Sequence, residues 1–108
     1  MLSREKSIKK PSDFYKLKKE GTLIKSENFQ IRYITSKENF LVSIVVSKTI
    51  TPSAPKRNKL KRIFKSLIKE SGFNGNVLMV VYPRLKCLDV KYSELKIELD
   101  SILNKIKY

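Results

Sequence analysis

The chain has 108 residues, 24 of them Lys or Arg and 10 Asp or Glu, which gives a formal charge of +14. That length suits a single domain over residues 1–108, and an apolar share of 41% is enough for one core, so the basicity is not that of a disordered tail. There is no His, which removes the usual general base and the commonest zinc ligand, and Cys87 stands alone, so neither an intrachain disulfide nor a cysteine metal cluster can form.

Pro11-Ser12-Asp13-Phe14 reads as a helix start, with Ser12 or Asp13 available as cap. The helix is short, about two turns, with Phe14 and Leu17 as a narrow apolar edge and Lys16, Lys18 and Lys19 toward water. Gly21 stands where a left-handed residue commonly closes a helix. Thr22 to Lys25 is a brief strand. From Phe29 to Thr35 the pattern alternates, placing Phe29, Ile31 and Tyr33 on one face and Gln30, Arg32 and Ile34 on the other. Lys37-Glu38-Asn39 reads as a hairpin turn leading into Phe40–Val46, a β-branched and nearly all-apolar run of the kind found in interior strands.

Ser47 to Pro55 is a loop stiffened by Pro52 and Pro55. A helix over Lys56–Ser71 follows, with Leu60, Ile63, Phe64, Leu67 and Ile68 as one amphipathic stripe and Gly72 at its end. Val77–Tyr82 is a fourth strand, stopped by Pro83. A last helix over Ser93–Lys107 buries Leu95, Leu99, Ile102, Leu103 and Ile106. The order α-β-β-β-α-β-α predicts an α+β sandwich with helices packed on a sheet. The most apolar segment, Phe40–Val46, has seven residues, whereas a membrane span needs about twenty. The first ten residues carry no apolar stretch of the secretory kind. The expectation is a soluble, cytoplasmic protein, with Cys87 as a small apolar residue in a reducing setting rather than a nucleophile.

The charge is concentrated. Lys56, Arg57, Lys59, Lys61, Arg62, Lys65 and Lys69 put seven cations into fourteen residues with no acid among them. Arg57, Lys61 and Lys65 lie at i, i+4 and i+8, one line along the helix, with Arg62 and Lys69 close to it. Each like-charge pair at that spacing costs about 0.2–0.5 kcal/mol in an isolated helix. A local rule broken without local gain marks a functional surface. Successive phosphates of a nucleic acid suit such a line, with the arginines giving forked bonds and the lysines acting as point charges. Asn58 either contacts a base edge or ribose hydroxyl or caps the helix. Phe14, Tyr15, Phe29, Tyr33, Tyr82 and Tyr108 are available to stack on unpaired bases, although Phe29 and Tyr33 are equally at home in a core. Glu94 and Glu98, one helical turn apart, read as solvated surface, and no acid pair or glycine-rich loop offers catalytic chemistry.

The run Ser43-Ile44-Val45-Val46-Ser47-Lys48, then a loop, then Lys56-Arg57-Asn58-Lys59-Leu60-Lys61-Arg62-Ile63-Phe64-Lys65, resembles the protein subunit of bacterial ribonuclease P. The resemblance runs from about Ile8 to Lys107 and takes in Lys9-Lys10, Asp13-Phe14, Gly21, Phe29, Arg84 and Tyr92. It implies a two-layer sandwich with a four-stranded mixed sheet and a left-handed βαβ crossover through the basic helix. It implies 5′ maturation of precursor tRNA, with the catalytic RNA subunit performing the hydrolysis on Mg²⁺ of its own and no protein-held metal. The expected partners are that RNA and precursor tRNA, with no membrane and no required protein partner. Lys48, Lys56, Arg57, Asn58, Lys59, Lys61, Arg62, Lys65 and Lys69 map onto the RNA-subunit contact. Phe14, Lys18, Arg32, Arg84 and Tyr108 map onto the site for the single-stranded leader. Lys18 and Arg32 replace family aromatics with charge, and the loop between Lys48 and Arg57 is one residue longer than usual and lacks its glycine. The competing expectation is a ribosomal-type structural RNA-binding protein. A helix-turn-helix DNA binder ranks third, since the basic helix is flanked by strands.

Overall fold

The computed structural model describes residues 11–35, 40–73 and 75–106. Its elements are α1 (Pro11–Glu20), β1 (Thr22–Lys25), β2 (Phe29–Thr35), β3 (Leu41–Ile44), α2 (Ala54–Ser71), β4 (Val77–Pro83), a short 3-10 helix (Leu85–Asp89) and α3 (Tyr92–Leu103). The sheet order is β1-β2-β4-β3. β2 is antiparallel to both β1 and β4, and β3 runs parallel to β4. This is the mixed four-stranded α+β arrangement expected, with the parallel pair joined through α2.

Alternation divides the strands between two cores. Phe29 and Ile31 of β2, Val42 and Ile44 of β3, and Val77, Met79 and Val81 of β4 meet Leu60, Phe64, Leu67 and Ile68 of α2 and Leu95, Leu99, Ile102 and Leu103 of α3. Phe29 and Phe64 meet edge to face, their centroids 5.1 Å apart. The opposite face carries a smaller cluster, Leu17 of α1 against Leu78 and Val80, with Phe14, Ile34, Leu41 and Tyr82 half-buried around it. The sandwich of sheet and α2/α3 therefore has α1 seated on its other side.

Several expectations are corrected. The strand expected to be interior lies at the sheet edge, and β4 occupies the centre. β3 is apolar on both faces because helices cover both sides of the sheet, and that pattern carries no information about its neighbours. The proposed hairpin turn, Lys37–Asn39, lies outside the described residues, but the strands it would join do not pair, since β4 separates them. α1 begins with Pro11, the residue type best suited to a first helical position, so Ser12 and Asp13 fall inside the first turn. α3 spans Tyr92–Leu103, with Ile106 buried just beyond it, and the 3-10 helix between β4 and α3 is an element the sequence did not mark.

Gly21 does not adopt a left-handed conformation; among the described residues Gly72, at φ 68°, is the one with positive φ. Gly21 is required for closeness instead. A Cβ there would stand 2.3 Å from the Leu17 carbonyl oxygen and 2.9 Å from Cγ of Arg32. Gly72 takes the helix-closing role at the end of α2, as expected.

The turn between β1 and β2 is latched by α3. Oε2 of Glu98 accepts from the Ser26 hydroxyl and from the Asn28 amide N–H at 3.0 Å, and Oε1 accepts from Asn28 Nδ2 at 2.6 Å. Burial pushes this carboxyl up, but the bonds from Ser26 and Asn28 outweigh it and hold its pKa below the ordinary value. The Asn28 carbonyl in turn accepts from the Arg84 N–H at 3.0 Å and from the Cys87 thiol at 2.9 Å. Glu98 is thus a structural ligand rather than solvated surface.

Candidate nucleic-acid interface

The loop ahead of α2 reaches a defined start without the glycine it lacks. Thr51 is buried and its Oγ1 accepts from the Ser53 N–H at 3.2 Å, while Ser53 caps the helix by accepting from the Lys56 N–H at 3.4 Å. Pro55 sits in the first turn. No acid accompanies it there, so Lys56 and Arg57 stand at the positive end of the helix dipole. That arrangement favours an anion from outside the chain.

Leu60, Phe64, Leu67 and Ile68 fix which side of α2 is turned inward. At 100° per residue this puts Arg57, Lys61 and Lys65 on the flank of the buried stripe, and these three are half-buried. Lys56, Asn58, Lys59, Arg62 and Lys69 are exposed. The most open line of the helix is therefore Asn58, Arg62 and Lys69, with Lys59 beside it, rather than the one through Arg57. Arg57 has a further task, since its Nη1 donates to the Thr51 carbonyl at 3.0 Å and braces the loop against the helix. Lys48 is exposed in that loop. Among the described residues none of these cations has an ion-pair partner. Glu70, at the far end of α2, turns instead to α3, meeting Lys96 at 3.8 Å and the Tyr92 hydroxyl at 2.9 Å.

The residues mapped to the leader divide differently. Phe14 is half-buried against the smaller core, and Lys18, one turn on, is exposed. Arg32 is half-buried under the end of α1. Its Nη1 reaches the Lys18 carbonyl at 3.4 Å, and its Nε is buried without a partner. Its guanidinium thus ties α1 to the sheet. Arg84 is exposed just after β4, and Tyr108 lies outside the described residues. On the outer side of α1, Tyr15 is 66% exposed with Lys19 Nζ 5.9 Å from its ring centroid.

On the same sheet face, past the end of the α1 contact, a groove of about 480 Å³ is lined by Gln30, Val45, Ser47, Ile50, Tyr82, Pro83 and Arg84. Only Arg84 of these was singled out as a site residue by the sequence, which also named Tyr82 among the available aromatics. Gln30 and Tyr82 are directly opposed across β2 and β4. The signal that pointed to them was the alternation itself, which put Gln30 and Arg32 on the face opposite Phe29 and Ile31.

The sequence model of the Ribonuclease P family matches residues 2–107. The ribonuclease P protein component of Borrelia turicatae (strain 91E135) is 30% identical over 108 residues, covering 95% of this chain and 93% of that protein. A mutant ribonuclease P protein from Staphylococcus aureus superposes with a TM-score of 0.81 at 26% identity, covering 94% of this chain and 87% of the other. The ribonuclease P protein of Thermotoga maritima, at 24% identity, shares the fold with a TM-score of 0.80 over 94% of this chain and 98% of its own.

Proposed function

The chain belongs to the ribonuclease P protein family, and from that premise we propose that it is the protein subunit of a ribonuclease P ribonucleoprotein. In this reading α2, with Lys48 at its margin, binds the catalytic RNA, and the α1 side of the sheet holds the single-stranded 5′ leader of precursor tRNA. The observation that carries it is the cationic surface of α2: between Lys56 and Lys69 it places seven cations with no acid among them, and none has an ion-pair partner among the described residues. An ordinary solvated helix mixes both signs.

Mg²⁺ serves the RNA subunit, which performs the phosphodiester hydrolysis. Among the described residues no group of His, Cys, Asp and Glu stands together to hold a metal ion, and Glu98 is occupied by three protein donors. The protein's part is to bind, orient and neutralise. A charge of +14 placed between two polyanions lowers their mutual repulsion, so less divalent ion is needed to bring them together. A protein that merely packs structural RNA would need α2 but not a second, single-strand site.

The test is cleavage of a precursor tRNA by the cognate catalytic RNA at low millimolar Mg²⁺, with and without the protein. A large gain with the wild type, lost in Lys59→Ala/Arg62→Ala, is expected. Both residues are exposed and free of structural bonds, which Arg57 is not. If about six phosphates are neutralised, log K falls against log salt with a slope near −4 to −5, and the double variant makes it shallower by about 1.4–1.8. No gain from the wild type, with salt-sensitive binding to unrelated RNAs retained, would leave a general RNA-packing protein.

A further inference from the structure

Arg57 sits where a helix has least use for a cation. It follows the capping residue Ser53 by four positions, near the positive end of the helix dipole, which an anion favours and a cation opposes. Among the described residues it is also the one cation of α2 whose side chain bonds to the protein. Its Nη1 turns back to the carbonyl of Thr51, a residue only 4% exposed. Thr51 is the fixed point of the loop ahead of α2. Its N–H and that of Ile50 both donate to the Ser47 carbonyl, at 3.5 and 3.1 Å, closing a turn with Lys48 at its corner. The Ser47 and Thr49 hydroxyls bond to each other on either side of Lys48. Thr51 Oγ1 accepts from the Ser53 N–H at 3.2 Å, which ties the same turn to the helix cap.

A cation on a free loop grips a phosphate only once the loop is ordered, and that ordering weakens binding. A loop already held in one shape avoids the loss. Arg57 holds this one from the helix that carries the other cations. The contacts run from its guanidinium to Thr51, from Thr51 to Ser47, and so to Lys48. A half-buried stem and a planar head suit that task, since packing fixes the direction of the donors. A phosphate ligand needs the opposite, an open side chain such as Lys48, Lys59 or Arg62.

We propose that Arg57 is a positioning residue of the RNA-binding surface and that Lys48 is the phosphate ligand it serves, so that losing either removes the same contact. This rests on the reading of α2 and its margin as the surface for the catalytic RNA. It departs from the family pattern, which places Arg57 itself among the RNA contacts. The two roles differ measurably. Independent phosphate ligands add, each contributing about 0.7–0.9 to the salt slope. A positioning residue and the ligand it holds share one contribution.

The experiment measures binding of the full chain to its cognate catalytic RNA over a range of salt. The proteins are the wild type, Lys48→Ala, Arg57→Ala, Arg62→Ala, and the doubles that join Lys48→Ala to each arginine variant. Each single variant should make the slope shallower by about 0.7–0.9. Lys48→Ala/Arg62→Ala should lose about 1.4–1.8, two separate contacts, whereas Lys48→Ala/Arg57→Ala should lose no more than Lys48→Ala alone. In the free protein, hydrogen exchange at the Ile50 and Thr51 amides should quicken roughly 2- to 10-fold in Arg57→Ala, the equivalent of one lost hydrogen bond. Arg62→Ala should leave those rates at the wild-type value. Thermal melting checks the fold. Should Arg57→Ala fail to fold, Arg57→Met, which keeps the apolar stem without a donor, takes its place throughout. Additive slopes for Lys48 and Arg57, no slope change in either single variant, or unchanged exchange in the loop would each overturn the positioning role and leave the subunit reading standing. If the wild type holds the cognate RNA no more tightly than an unrelated structured RNA, the subunit reading falls and this proposal with it.

Discussion

Replacing Glu98 tests the latch between α3 and the β1–β2 turn. Its carboxylate accepts three hydrogen bonds, two of them from Asn28, which is 8% exposed. Hydrogen bonds to a charged group contribute about 1.5–3 kcal/mol each. The site is partly solvated, so the low end applies, and the half-buried Ser26 hydroxyl can turn to water. The loss in Glu98→Ala is concentrated in the two Asn28 donors, giving about 2–4 kcal/mol. Glu98→Gln keeps one acceptor and turns an N–H₂ toward the other donors, so about 1–2 kcal/mol is expected. For a chain of this size the alanine variant should melt about 10–15 °C lower. The sign with pH follows from the direction of the shift. A carboxyl held below its ordinary value of 4.5 contributes stability that is complete above that value and is lost as pH falls through the folded-state value. Denaturant titrations of wild type and Glu98→Gln, from pH 7 down to pH 3, should therefore show a gap that narrows with acid. A gap under about 0.5 kcal/mol at neutral pH, or one that does not shrink in acid, would refute the latch.

Gly21→Ala should destabilise by about 1–3 kcal/mol, as overpacking does, because the new Cβ meets the Leu17 carbonyl oxygen at 2.3 Å; a denaturant midpoint at the wild-type value would show that the approach is looser than described. The Cys87 thiol, pushed up to about 11 by burial, is almost wholly protonated at neutral pH. A maleimide should label it over hours in the folded protein and within minutes in denaturant, and rapid labelling of the native state would contradict its burial.

What the sequence made legible follows from what each pattern encodes. The stripe Leu60, Phe64, Leu67, Ile68 and the stripe Leu95, Leu99, Ile102, Leu103 are buried as the helical period requires, and β2 has the bounds its alternation marked. Strand order was not legible, since β3 and β4 are apolar on both faces and either suits a sheet centre. Gly21 and Gly72 look alike in a sequence, yet one serves a close approach and the other a positive φ. The cationic run was plain, but its open side depended on which flank the core took up, and that moved emphasis from Arg57 to Arg62. Two features required distant residues to meet. The Glu98 latch joins positions 70 residues apart, and Gln30, Val45 and Tyr82 come together only because β4 separates β2 from β3.

The two cores differ greatly in depth. Among the described residues, nineteen buried side chains form the one beneath α2 and α3, whereas three form the one beneath α1, to which that helix contributes Leu17. A single buried leucine contributes about 1.5–3 kcal/mol, to which α1 adds half-buried Phe14 and the Arg32 bond to its last turn. Stability is thus unevenly shared, and α1 is the unit that detaches first, at a cost well below that of global unfolding. Its amides should exchange with solvent before those of β4, and a strand lying along that side of the sheet should slow them selectively. With the leader held on that side as proposed, docking of α1 and occupancy by RNA become one linked equilibrium, so a substitution that only loosens this helix is expected to weaken the grip on a leader without touching a nucleotide.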